Sequence, residues 1–213
     1  MVFGKIEYLN LLPFHVFMKR FTKSAQQSMS MHYKRGVPAD VNNKFISKRV
    51  DAAFISSIRA KNYKSVGLGI IAKKEVQSVI VIPSKVIQDD KESASSNALA
   101  KILNVEGKVL IGDKALKYTL SSEDYIDLAK EWNDKYKLPF VFALLCYHKE
   151  KKFFKRVQRQ FLQEKTKIPQ YILHKASLRT GIKKKDILDY LEYISYDVDA
   201  KAKLGLKKFY SMA

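Results

Sequence analysis

Six uncharged polar residues are the groups in this chain best placed to do chemistry: Asn10, Ser56, Ser57, Ser78, Ser95 and Ser96. Asn10 ends the apolar segment 5–9 and precedes Pro13, while Ser56 and Ser57 close the short apolar run 51–55. Ser78 sits near the start of the β-branched run 76–82, and Ser95 and Ser96 lie in the serine cluster 93–96 ahead of a helical run at 97–103. Donors at strand ends, together with the bare N–H groups of a helix N-terminus, make a set suited to holding a small anion. Ser93, Ser95 and Ser96 serve equally well as helix caps, and Ser56 and Ser57 as a plain strand end. Asn10 is the sharpest candidate, because an Asn at a strand end beside a proline turn has little packing reason to be there.

Other chemistries lack their residues. His15, His32, His148 and His174 are scattered without the spacing of a metal site, and Cys146 is alone, so neither a zinc centre nor a disulfide framework is expected. No glycine-rich dinucleotide fingerprint, phosphate loop or nucleophile elbow occurs, so no cofactor is expected. Asp113 after Gly112 reads as a turn former, Asp127 as a structural or solvated carboxylate, and Tyr8 and Trp132 as core aromatics.

The positive charge is large. The 213 residues carry 40 Lys and Arg against 21 Asp and Glu, a formal net charge of +19. Only seven of the basic residues are Arg, whereas base and phosphate recognition favours the bidentate Arg fork, so a solvated lysine surface is expected rather than a nucleic-acid partner. With 46% apolar residues the chain can bury a substantial core. No apolar window is long enough for a membrane span, residues 9–18 are interrupted by Pro13 and His15 and carry no cleavage site, and the lone cysteine suits a reducing compartment. A soluble, cytoplasmic protein is expected.

The elements that must position these residues alternate. Strands are expected at 5–9, 51–55, 76–82, 109–111 and 139–146, the last central in its sheet. Helices are expected after Pro38 with Val37, Val41 and Phe45 facing the core, after the serines at 93–96, and after Ser121 or Ser122 through Tyr125, Leu128, Ala129 and Trp132. From Lys149 onward the periodicity is helical only. This order predicts an α/β protein with mainly parallel sheets.

Seven short motifs, in order over nearly the whole chain, resemble the chorismate dehydratases of the futalosine route to menaquinone. They are I-E-Y-L-N-L-L-P (6–13), G-V-P-A-D-V-N (36–42), D-A-A-F-I-S-S-I (51–58), Q-S-V (77–79), S-A-S-S (93–96), I-G-D-K-A-L (111–116), and D-L with E-W (127–132) followed by L-P-F-V-F-A (138–143). Glu7 stands where the family commonly has serine, Ser95 where it has threonine, and Tyr136-Lys137 where it has threonine-glycine.

The resemblance implies a two-lobed periplasmic-binding-protein-like fold with a ligand cleft between the lobes. Lobe 1 would comprise residues 1–78 and 148–213, and lobe 2 residues 79–147. It implies conversion of chorismate to 3-[(1-carboxyvinyl)oxy]benzoate and water without cofactor or metal, the substrate's own enolpyruvyl carboxylate acting as base. Asn10 and Ser78 would be the catalytic residues, with Tyr8, Ser56, Ser57, Ser95, Ser96 and Asp113 binding substrate. Two alternatives share the fold: a cytoplasmic small-anion sensor, and the sibling enzyme that forms dihydroxynaphthoate.

Overall fold

The computed structural model describes residues 1–24 and 31–213. The chain begins with β1 (Val2–Lys5), a single 3-10 turn at Leu9–Leu11, α1 (Leu12–Ser24), β2 (His32–Arg35) and α2 (Pro38–Ile46). It continues through β3 (Ala52–Ser56), α3 (Ser57–Ala60) and β4 (Ser65–Ala72). Then come β5 (Val79–Pro83), α4 (Ala94–Leu103), β6 (Gly107–Ile111), α5 (Gly112–Thr119), β7 (Ile126–Asp127) and α6 (Leu128–Tyr136). The last part is β8 (Phe140–Tyr147), α7 (Lys151–Gln163), α8 (Gln170–Thr180), α9 (Lys184–Leu191), β9 (Ile194–Asp197) and α10 (Ala200–Tyr210).

Two sheets result, one ordered β2-β1-β3-β8-β4-β9 and one ordered β6-β5-β7. The strand β8 is buried along nearly all of its length because helices cover both of its faces, and it sits between β3 and β4 as its unbroken apolar run requires. Beneath the larger sheet Phe14 meets Phe54 and Phe161 edge-on at centroid distances of 4.9 and 5.3 Å. At the other end Trp132 packs edge-on against Phe140 at 5.3 Å. Among the described residues no helix is long and apolar enough to cross a membrane.

Several expectations need correction. The sheets are mainly antiparallel: only β1 pairs in parallel, with β2 and β3, while β8 runs against β3 and β4, β9 against β4, and β5 against β6 and β7. The reason is topological, since the chain leaves the larger sheet after β4 and re-enters it through β8 from the opposite direction. The expected second lobe runs to residue 147, whereas β8 belongs to the six-stranded sheet. The region after Lys149 is not purely helical, because Ile194–Asp197 adds a strand beside β4. The first strand ends at Lys5, and residues 9–11 form the 3-10 turn instead. The helix expected after Ser121 or Ser122 starts at Leu128, capped by Asp127, which accepts bonds from Ala129 N (2.9 Å) and Lys130 N (3.0 Å). In α2, Pro38 occupies the first turn and Val41 and Phe45 are buried, but Val37 lies outside the helix and is 40% exposed.

Candidate functional site

The chain crosses between the sheets at 73–78 and again just before β8, and a cavity of about 60 Å³ lies between the two sheet-bearing units at these crossings. Tyr8, Asn10, Ser56, Ser78 and Ser96 line it, with Ser93 and Gly112. Ile6, Phe54, Ile70, Val76, Val79 and Phe142 supply apolar walls. No Lys, Arg, His, Asp or Glu is among its lining residues.

Three serines are held in the same manner. Ser78 Oγ accepts a 2.8 Å bond from the Tyr190 hydroxyl, Ser56 Oγ accepts 2.8 Å from Asn42 Nδ2, and Ser96 Oγ accepts 2.8 Å from Ser93 Oγ. A hydroxyl whose oxygen is occupied as acceptor keeps its proton to donate, so each supporting residue turns a serine into a donor available to a ligand. Asn42 also receives Ser56 N at 3.1 Å, and Ser93 Oγ receives Ser96 N at 3.2 Å as the cap of α4. Asn10 lines the cavity, its side-chain amide has no hydrogen-bond partner among the described residues, and its backbone carbonyl accepts from the Tyr196 hydroxyl at 2.7 Å.

Local backbone geometry fixes Ser78. Asp127 Oδ2 accepts from Val76 N (2.9 Å) and Gln77 N (2.6 Å), Gln77 takes a positive φ of 59°, and Ser78 O accepts from Gly112 N at 2.8 Å. Asp127 is thus structural, as its sequence context implies. Gly112 has φ +66°, and a Cβ there would lie 2.7 Å from the Tyr8 ring, so this glycine lets the ring lie against the start of α5. Burial, and then the neighbouring Glu92 that its hydroxyl contacts, push the Tyr8 phenol far above its usual range. Tyr190 is raised mainly by burial. Both remain neutral donors across the physiological range.

Three expected contacts fall elsewhere. Ser57 and Ser95 share a buried 3.0 Å hydrogen bond, and Ser95 Oγ also accepts from Ile58 N at 3.1 Å, so this pair joins α3 to α4 and does not line the cavity. Asp113 accepts from Leu9 N and from Arg179 Nη1, each at 2.9 Å, and also lies outside the lining. Burial raises its carboxyl, with the Leu9 N–H and the Arg179 guanidinium opposing that shift. Tyr190, Tyr196 and Glu92 support the cavity without any sequence signal except long-range pairing, whereas Asn42 closes the motif at 36–42. None of the four histidines lines it: His15 Nε2–H donates to Ile6 O at 2.8 Å, and His148 stacks on Phe45 at 4.0 Å while bonding its carbonyl.

A cavity without charged lining residues, set between two α/β units joined by two crossings, defines the two-lobed periplasmic-binding-protein-like class. Solved structures agree. Protein AF1704 from Archaeoglobus fulgidus superposes with a TM-score of 0.74 at 15% identity, covering 100% of this chain and 96% of that one. The alkanesulfonate-binding protein SsuA from Xanthomonas axonopodis pv. citri, solved with MOPS bound, superposes at 0.62 with 10% identity, covering 100% and 92%. Such identities speak for the fold alone. The family model described as menaquinone biosynthesis matches residues 1–108 and 103–213, and the chain belongs to that family. A curated chorismate dehydratase from Campylobacter jejuni subsp. jejuni serotype O:23/36 (strain 81-176) is 43% identical over 213 residues, spanning 98% of this chain and 96% of its own length.

Proposed function

We propose that this protein is a chorismate dehydratase, a carbon–oxygen lyase of menaquinone biosynthesis on the futalosine route, acting in the cytoplasm. The observation that carries the reading is the full-length 43% identity to the Campylobacter enzyme, and the donor-lined, uncharged cavity supports it. We place the lobes at 1–78 with 140–213 and at 79–139, the first boundary falling in the crossing and the second ahead of β8.

Dehydration breaks the ring C–H bond at the carbon bearing the ether oxygen and the C–O bond of the neighbouring hydroxyl. The C–H electron pair becomes a ring double bond, and the hydroxyl leaves as water with a proton. The difficult stage is growth of negative charge conjugated to the ring carboxylate, which positioned donors in a dry site stabilise. Asn10 and the Ser78 hydroxyl are assigned that role, with Ser56, Ser96 and Tyr8 orienting the ring and its carboxylates. With no imidazole or carboxylate in the cavity wall, the enolpyruvyl carboxylate of the substrate serves as base. The product is 3-[(1-carboxyvinyl)oxy]benzoate, and aromatisation drives the reaction. Purified protein mixed with chorismate, with no added cofactor, should generate a new aromatic ultraviolet absorbance. Absence of that product with folded protein would reject the assignment.

A further inference from the structure

A second and larger cavity, about 420 Å³, opens on the other side of Tyr8, between α1, the end of β2 and α8. Tyr8 lines both cavities. Their chemistry is opposite: the inner one has no charged lining residue, whereas the outer one is lined by Lys5, Lys19, Arg35, Lys175 and Arg179 with Glu7 as its one acid. Glu7 lies 3.3 Å from Lys5 and 3.5 Å from Arg35, and Arg179 is engaged by Asp113. Lys19 and Lys175 make no ion pair among the described residues. His15 stands in the same wall with Nε2–H on Ile6 O, and its buried Nδ1, an acceptor in that tautomer, has no partner.

An inner site without a cation offers a dianion no long-range attraction, so the attraction has to come from outside it. We propose that the outer cavity is a separate anion site, in which Lys19 and Lys175 capture the dianionic substrate by its carboxylates before it passes Tyr8 into the inner cavity. This inference rests on the chorismate reading. Cations clustered in a concave wall raise the local concentration of a dianion and its rate of capture by tenfold or more at low salt, with little effect on the step that follows.

The test uses the full chain with Lys19→Gln and Lys175→Gln combined. At low ionic strength kcat/KM for chorismate should fall about tenfold with kcat within twofold of the parent, and the difference should close at high salt. The pair Lys201→Gln and Lys203→Gln, on the exposed side of α10, should leave both constants unchanged. Equal kcat/KM in the parent and the Lys19/Lys175 variant, or an equal fall in the α10 control, would overturn the proposal. A second readout does not depend on turnover: sodium succinate, as a dianion probe, should shift the His15 ring resonances in the parent and not in the Lys19/Lys175 variant. Resonances that stay still in the parent overturn the anion site even if chorismate is turned over. Resonances that move in a parent unable to dehydrate chorismate support the anion site while rejecting the enzymatic assignment.

Discussion

Ser78 draws its character from Tyr190, a residue 112 positions away whose hydroxyl fills the serine oxygen at 2.8 Å and leaves the serine proton to donate. Loss of one positioned donor in a desolvated site lowers turnover by roughly a hundredfold, so Asn10→Ala and Ser78→Ala should each do so while circular dichroism stays native. Tyr190→Phe keeps the Ser78 hydroxyl but frees its orientation, and should lower kcat by a smaller factor without a matching rise in KM. A Tyr190→Phe enzyme indistinguishable from the parent would remove the supporting role. The histidines act differently. His15 is half-buried with its Nδ1 shut off from water, and this desolvation chiefly holds it near a pKa of about 4 against 6.5 when unfolded. Below pH 6.5 the unfolded chain therefore binds a proton that the folded chain refuses, and stability should decline as pH falls from 6.5 toward 4. Urea midpoints across that window should show the decline in the parent and a flatter profile in His15→Gln, with dehydratase activity per folded molecule largely retained. His32, His148 and His174, replaced singly, should also leave most of the activity.

At the level of elements, α6 ends on a backbone conformation that favours glycine. Lys137 ends the helix in the left-handed region, with φ 55° and its N–H on Asn133 O at 2.7 Å. A side chain there costs on the order of 1 kcal/mol that glycine avoids, so Lys137→Gly should raise the urea midpoint by a stability of about that size, and a lowered midpoint would contradict the strain. Elements whose information is local were legible in the sequence. The run at β8 is apolar without alternation, which by itself predicts a central strand, and the serines before α4 mark its cap at Ser93. Elements fixed by distant partners were not. The strand Ile194–Asp197 continues an apolar spacing that also fits a helix, and only the open edge of β4 selects the extended form. Asp127 outcompetes Ser121 and Ser122 as a cap because its other oxygen is needed 50 residues earlier by Gln77 N. Asp113 reads as a turn former because its partners, Leu9 and Arg179, are 104 and 66 residues away. The cavity followed the same division: Asn10, Ser56, Ser78 and Ser96 sit at recognisable strand and helix ends, whereas the residues that orient them come from other parts of the chain.

For the whole molecule, the size of the inner cavity implies motion. About 60 Å³ is well below the roughly 150 Å³ that a benzene ring occupies in an apolar protein cavity, and chorismate adds two carboxylates to a ring of that size. The lobes must therefore part to admit it, bending at the crossings 73–78 and ahead of β8. The bonds that resist parting join residues on opposite sides and include Tyr8 with Glu92, Leu9 N and Arg179 with Asp113, and Ser57 and Ile58 N with Ser95. Each hydrogen bond contributes about 1 kcal/mol net, so removing the one made by Glu92 and the two made by Ser95 shifts the balance between closed and open forms by about 3 kcal/mol, roughly 150-fold. Neither Glu92 nor Ser95 lines the inner cavity, so the chemical step is not directly affected. The double variant Glu92→Ala, Ser95→Ala should then show a larger radius of gyration by small-angle X-ray scattering than the parent when free. Chorismate should draw it back to the parent value, because a ligand touching both lobes favours the closed form by its differential affinity. KM should rise by more than kcat falls, since part of the binding energy is spent on closing lobes that the parent already holds together. Scattering and KM both unchanged in a folded double variant would mean that these contacts do not hold the lobes, and that substrate enters by local movement of side chains such as Tyr8.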